Sequence, residues 1–256
     1  MHSDFLCVRG RTRLVGTEYN KGGDKLPIAV VSHEFMLNRE FSKRYARLLA
    51  RAGYAAFCYD FSGGGAVSAS EGRQRDMSVL TELEDLSAVV EYAKAQDYTD
   101  ESRILLMGCS QGGLVSALYA SRHPESVEKL VLFYPALSIP DDARRGSMML
   151  ARFDPQSIPK TLLCGPMILG RRYVEDALSL EPYGDITGYK GRVLILHGDE
   201  DKIVNIDYSR RAEKAYRECG ARVRFEVISG AGHIFLNPAH ERTAKRYLKE
   251  FLNSED

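Results

Sequence analysis

The stretch Ile104-Leu-Leu-Met-Gly-Cys-Ser110-Gln-Gly-Gly-Leu-Val-Ser-Ala-Leu-Tyr-Ala-Ser-Arg122 joins a short apolar run to a segment of helical period through a glycine-flanked serine. Within it, Gly108-Cys-Ser-Gln-Gly112 directly follows the strand-like run Ile104 to Met107 and directly precedes a helix predicted from Gln111 to Arg122. Glycines at this spacing permit the sharp strand-to-helix turn that raises a hydroxyl above a sheet. The pentapeptide is short enough to arise by chance, so its strand–turn–helix setting gives it its weight.

Outward from this turn, short apolar runs alternate with longer amphipathic stretches, the mark of a mostly parallel central sheet flanked by helices, an α/β fold. Phe5 to Val8 and Arg13 to Glu18 read as an opening hairpin. Ile28 to Ser32, Ala55 to Tyr59, Ile104 to Met107, Leu130 to Phe133, Val193 to Leu196 and Val223 to Ile228 read as further strands. Most are apolar throughout, as expected of strands covered on both faces. Glu40 to Arg51, Met77 to Ala95, Gln111 to Arg122, Tyr208 to Cys219 and Ala239 to Leu252 have helical length and spacing. The alternation fails between about residues 137 and 188, where Pro155, Pro159 and Pro166 interrupt any rhythm. That segment is expected to be an insertion, and long excursions of this kind usually serve as lids or binding elements. The whole chain, 1–256, reads as one domain carrying it.

Composition narrows the function classes. The chain has 256 residues, 44% of them hydrophobic, and 35 Lys+Arg balance 35 Asp+Glu. Proteins that hold phosphate backbones usually carry a basic excess, so no nucleic-acid partner is expected. No apolar run approaches the roughly 20 residues of a membrane span, so neither an anchor nor a signal peptide is read. The five cysteines, Cys7, Cys58, Cys109, Cys164 and Cys219, are scattered and odd in number. They suggest neither disulfides nor a zinc site, and a reducing cytoplasm is the expected location. Dinucleotide-binding, H-E-x-x-H and EF-hand patterns are missing, and Gly165 to Gly170 continues into Arg171-Arg172 where a phosphate loop needs Lys and Ser or Thr. No cofactor or metal is expected.

A serine hydroxyl needs a base to take its proton and a group to orient that base. Of the six histidines, His233 stands out, because Ser229-Gly-Ala-Gly-His-Ile-Phe235 is a glycine-rich loop after the last strand. His2, His123 and His240 read as solvated or structural, and His197 as a ring packed under a loop. An acid is expected between serine and histidine, after a late strand. Asp199, Glu200 and Asp201 in His197-Gly-Asp-Glu-Asp-Lys-Ile-Val204 all qualify, and position alone separates them poorly. Two backbone N–H groups must also face a developing oxyanion. Gln111 supplies one, and the loop Ser32-His33-Glu34-Phe35 the other, through Phe35.

These residues resemble the α/β-hydrolase superfamily over essentially the whole chain, and more narrowly the bacterial cinnamoyl (feruloyl) esterases. The narrower likeness rests on Tyr59-Asp-Phe-Ser-Gly-Gly-Gly65 with Ser70-Glu-Gly72, Gly108 to Gly113, Phe153-Asp-Pro155, Gly170-Arg-Arg-Tyr173 with Asp176-Ala177, His197-Gly198 with Asp201 and Val204, and Gly232-His233. The resemblance implies Ser110, Asp201 and His233 as a triad, with Phe35 and Gln111 as oxyanion donors. It implies substrate contacts from His33, and from Asp142 and Tyr173 on the lid to a phenolic hydroxyl, with Asp141 an adjacent rival. Two-subunit assembly is implied by the resemblance alone. Glu34 departs from the family, which carries glycine there; a carboxylate beside an oxyanion opposes catalysis unless it points away.

The expected activity is therefore a serine carboxylesterase acting on a small-molecule ester of a hydroxycinnamic acid through an acyl-enzyme. The alternatives are an esterase or lipase for aliphatic acyl or monoacylglycerol-type esters and, in another class, a non-catalytic ligand-binding protein on a hydrolase scaffold.

Overall fold

The computed structural model describes residues 2–254. In chain order the elements are β1 (His2–Arg9), β2 (Thr12–Tyr19), β3 (Leu26–Ser32), α1 (Arg39–Arg51), β4 (Ala55–Tyr59), α2 (Val79–Lys94), β5 (Thr99–Cys109), α3 (Gln111–Arg122) and β6 (Val127–Phe133). There follow α4 (Ile139–Arg144), the two-stranded pieces β7 (Ser147–Met148) with β8 (Ala151–Arg152) and β9 (Thr161–Cys164) with β10 (Met167–Gly170), then α5 (Arg171–Leu178) and α6 (Pro182–Ile186). The chain closes with β11 (Arg192–Gly198), α7 (Asp207–Glu218), β12 (Arg222–Ile228) and α8 (Pro238–Asn253).

Eight strands form one sheet in the order β1-β2-β4-β3-β5-β6-β11-β12. The opening hairpin is antiparallel and meets β4 antiparallel, while every other pairing is parallel. All eight expected strands lie in this sheet. Their side chains alternate between two cores, as a period of two requires. Ile28, Val30, Leu106, Leu132 and Ile195 face α2, α3 and α7, whereas Ala29, Val31, Met107, Phe133 and Leu196 face α1 and α8. Each fully buried aliphatic side chain in these layers contributes roughly 1.5–3 kcal/mol relative to exposure.

Two differences from the sequence expectation have simple causes. Strand β5 begins five residues before its apolar run, because Thr99 and Asp100 pair with Leu26 and Pro27 through backbone groups that need no apolar side chain. The insertion holds two small hairpins and three short helices, too brief for any hydrophobic period to register.

The α2 helix starts with a capping box in which Ser78 and Thr81 satisfy each other's backbone N–H groups. From its middle, the fully buried Asp85 accepts the Ser62 N–H and hydroxyl at 2.8 Å each and pairs with Arg9 Nε at 3.0 Å, tying the hairpin and the loop after β4 to α2. Burial pushes its carboxyl from 3.8 up to about 6, against the pull of Arg9 and Ser62. A carboxyl raised on folding favours the native state while protonated, so this contribution is lost as pH rises through the window between those values. D85N cannot ionise and should therefore gain on the wild type by roughly 2–3 kcal/mol from about pH 4 to about pH 7 in parallel denaturant titrations. A constant gap would show that Asp85 titrates like an exposed aspartate.

Candidate active site

The parallel register brings the C-terminal ends of β5, β6 and β11 side by side, with Phe133 paired to Cys109 on one flank and to Leu196 on the other. Ser110 leaves β5 at this edge with φ 53° and ψ −119°. Such backbone angles cost a non-glycine residue on the order of 1–3 kcal/mol. Hydrogen bonds from the Ser110 N–H to Phe133 O and from the Ala136 N–H to Ser110 O, each 2.9 Å, hold it there. Gly108 is required by close approach, since a Cβ would lie 2.1 Å from the carbonyl oxygen of Gly112. Ser110 occupies the N-cap position of α3 but makes no cap hydrogen bond, so its hydroxyl is directed elsewhere.

That hydroxyl lies 2.8 Å from Nε2 of His233, whose Nδ1 lies 2.7 Å from Asp201 Oδ2. Asp201 Oδ1 accepts the N–H groups of Ile203 at 2.8 Å and Val204 at 3.0 Å, and Oδ2 also meets His197 Nε2 at 3.0 Å. Burial alone would raise the Asp201 carboxyl, but the hydrogen bonds from His197 and His233 outweigh it and hold the group well below the usual carboxylate range. Of the rival acids, Asp199 Oδ1 accepts the Gly230 N–H at 2.6 Å, while Glu200 contributes its backbone N–H, which donates to Ala231 O at 3.1 Å. Both contacts brace the loop that carries His233.

The loop after β3 sits opposite. No hydrogen bond among the described residues takes the Phe35 N–H, and the Gln111 N–H opens α3, where helix geometry provides no partner. The loop is supported by the bonds of Met36 N–H to Gly64 O and of Ala66 N–H to Met36 O, at 3.2 and 3.0 Å. Gly65 allows that contact, because a Cβ there would lie 2.3 Å from Leu37 O.

His33 departs from its expected role. It is 1% exposed, its Nδ1 lies 2.7 Å from Glu34 O, and its Nε2 accepts the Phe61 N–H at 3.1 Å. Desolvation keeps the ring neutral, below the ordinary imidazole range, so it serves as a brace beneath the loop with no nitrogen left for a ligand. Glu34 turns inward, where Oε1 accepts the Tyr134 hydroxyl at 2.9 Å.

A narrow cavity opens beside Ser110, lined by Phe35, Gln111, Ile139, Asp142, Met148, Tyr173 and Val204 among others. Tyr173 contributes its ring, tilted against Phe35 at 5.9 Å, while its hydroxyl donates to Gln111 Oε1 at 2.5 Å. Gln111 in turn donates through Nε2 to Glu82 Oε2 at 2.7 Å. Burial raises the Glu82 carboxyl well above its ordinary range. Asp142 reaches the cavity with Oδ1 bound to Arg145 at 2.5 Å, whereas Asp141 is occupied by Arg144 and the Tyr208 hydroxyl. Lid helix α5 is fastened again at Asp176, which accepts the Ser78 hydroxyl at 2.5 Å.

Two residues at the site, Glu82 and Tyr134, carry no sequence signal for this role, and a third, His197, carries only a weak one. Glu82 reads as an ordinary polar position of a helix, and Tyr134 as the residue after a strand. His197 was read as a packed ring; its i,i+4 spacing to Asp201 was the one available clue to the contact.

Comparison with known proteins identifies related families and folds. Residues 27–182 match the family described as serine aminopeptidase, S33, and residues 179–253 the dienelactone hydrolase family. A Methylorubrum extorquens protein provisionally named a carboxymethylenebutenolidase is 25% identical over 83% of this chain, which spans 64% of that protein's length. Est1E from Butyrivibrio proteoclasticus, solved with ferulic acid bound, superposes with a TM-score of 0.87 at 27% identity, covering 98% of this chain and 100% of its own. The Pyrococcus furiosus esterase Pf2001 shares the fold, with a TM-score of 0.74 at 19% identity and coverage of 98% and 91%. With its parallel sheet, glycine-flanked elbow and a family match over more than half its length, the chain belongs to the serine aminopeptidase S33 family of α/β hydrolases.

Proposed function

We propose that the protein is a serine carboxylesterase that cleaves hydroxycinnamoyl (feruloyl, caffeoyl or p-coumaroyl) esters through an acyl-enzyme. The observation that carries this reading is the continuous relay from Ser110 Oγ through the His233 ring to Asp201, at 2.8 and 2.7 Å. His233 Nε2 takes the Ser110 proton as Oγ attacks the ester carbonyl, and the oxyanion accepts the N–H groups of Phe35 and Gln111. Collapse of the tetrahedral adduct breaks the bond to the alcohol oxygen, which receives the proton from His233. Water then gives its proton to His233, attacks the acyl-serine and releases the acid while Ser110 regains its hydrogen. Asp201 remains ionised and keeps the ring in one tautomer.

For the acyl group, support comes from the likeness to Est1E, whose structure holds ferulic acid. The flat faces of Phe35 and Tyr173 suit an aromatic ring, and Asp142 offers an acceptor for an aryl hydroxyl. About 50 Å³ of free space remains beside Ser110, short of the roughly 300–1,000 Å³ of small-molecule sites. A cinnamoyl group therefore requires the cavity wall to rearrange, and the unbranched side chains of Met148 and Met149 in that wall are the ones best able to do so.

Replacing Ser110 with alanine should lower kcat by on the order of 10⁴-fold or more, and near-normal ester turnover would remove the serine mechanism. Because Asp201 stays charged to low pH, the acid limb of kcat/KM reports protonation of the base, and kcat/KM should fall as the medium is acidified. A rate independent of pH down to about 4 would contradict that assignment. Asp142→Asn should depress methyl ferulate turnover about tenfold while sparing a short p-nitrophenyl ester. Tyr173→Phe, which frees Gln111 beside the oxyanion, should depress both. Equal losses for Asp142→Asn on the two esters would favour an aliphatic substrate.

A further inference from the structure

The carboxylate of Glu34, one residue before an oxyanion donor, is 4% exposed and lies within the protein interior. Oε1 accepts the Tyr134 hydroxyl at 2.9 Å, and the buried Oε2 has no hydrogen-bond partner among the described residues. Tyr134 leaves β6 with φ 38°, its N–H bound to Leu196 O at 2.6 Å, and it is fully buried. Its ring centroid lies 4.8 Å from that of His233, and Phe235 packs edge-on against the same Tyr134 ring at 4.8 Å. A chain of direct contacts thus runs from Glu34 through a phenol to the ring of His233.

We propose that Glu34 is a positioning residue for His233, acting through Tyr134 to stabilise the imidazolium that forms when Ser110 loses its proton. The reading rests on the Ser110–His233 relay of the preceding section. A cation within about 6 Å of an aromatic centroid is attracted to the ring, and a phenol that donates its proton to a carboxylate presents a more electron-rich ring. Desolvation holds the Tyr134 phenol protonated far above neutral pH, so it remains a donor.

The other ionisable groups around this pair are few. His33 comes from the loop after β3, where its neutral ring meets Glu34 O, Cys109 from β5, Arg44 and Tyr45 from α1, and Glu241 from α8, while Asp201 and Ser110 face His233 itself. Burial keeps Cys109 and Tyr45 neutral. Arg44 is the cation that opposes Glu34, and it also reaches Glu241 at 4.0 Å.

The test compares pH profiles of kcat/KM, on one ester, for wild type, E34Q, Y134F and the double variant, with melting temperatures measured beside them. In E34Q the acid limb should move to lower pH by about half a unit while the plateau falls several-fold, since both changes follow from a less stable imidazolium. Y134F should shift the limb the same way, and the double variant should go no further than the larger single shift. Local loosening alone would lower the plateau and the melting temperature without moving the limb. A limb that superposes on wild type in E34Q, or in Y134F should E34Q not fold, overturns the proposal, and additive shifts overturn the route through Tyr134. Loss of activity in S110A together with an unmoved limb would reject the role of Glu34 and leave the serine mechanism standing.

Discussion

The carboxylate of Asp201 is held by four hydrogen-bond partners at once. Two backbone N–H groups meet one oxygen and two imidazoles the other, with no exposure to solvent. A buried carboxylate is tolerated only when such partners replace its lost water. Because Ile203 and Val204 hold it from behind, it presents a fixed acceptor to His233 and sets which ring nitrogen faces Ser110. The packed ring of His197, itself anchored at 2.7 Å to Ser209 on α7, keeps the acid loop from swinging away.

The same economy of constraint recurs at the serine. The unfavourable backbone angles of Ser110 persist because Phe133 at the end of the neighbouring strand and Ala136 just beyond it both hydrogen-bond its main chain. The lid joins this arrangement at its base: Tyr173 binds Gln111, Asp176 binds Ser78, and the Ile168 N–H donates to Gln74 Oε1 at 2.9 Å. Its outer residues, Leu150 and Leu163, stand in solvent at 79% and 68% exposure.

Glu34 shows how a residue that looks unfavourable in sequence is accommodated. A negative charge beside an oxyanion opposes the reaction in a low-dielectric site. Here the side chain leaves that site and meets Tyr134 instead, a contact across 100 residues that no local pattern reveals. His33 illustrates the reverse. The resemblance implies a substrate contact for it, yet the buried Phe61 N–H needs an acceptor, and the ring supplies it.

The sheet and its helices were legible in the chain because hydrophobic period is a local property: each strand and helix buries a face that its own residues define. The serine elbow was legible for a related reason, since glycine spacing and the switch from strand to helix occur within a few residues. The histidine loop could be recognised from its glycines and its place after the last strand, whereas Asp199, Glu200 and Asp201 could not be separated by chemistry alone. Tertiary structure decided among them, because only the folded register shows which carboxylate reaches the His233 ring and which one braces Gly230. It also decided the inward turn of Glu34, the structural use of His33 and the Tyr173–Gln111–Glu82 chain. Each of these pairs polar groups from distant segments, and the cost of leaving them unpaired exists only once the surrounding residues have excluded water.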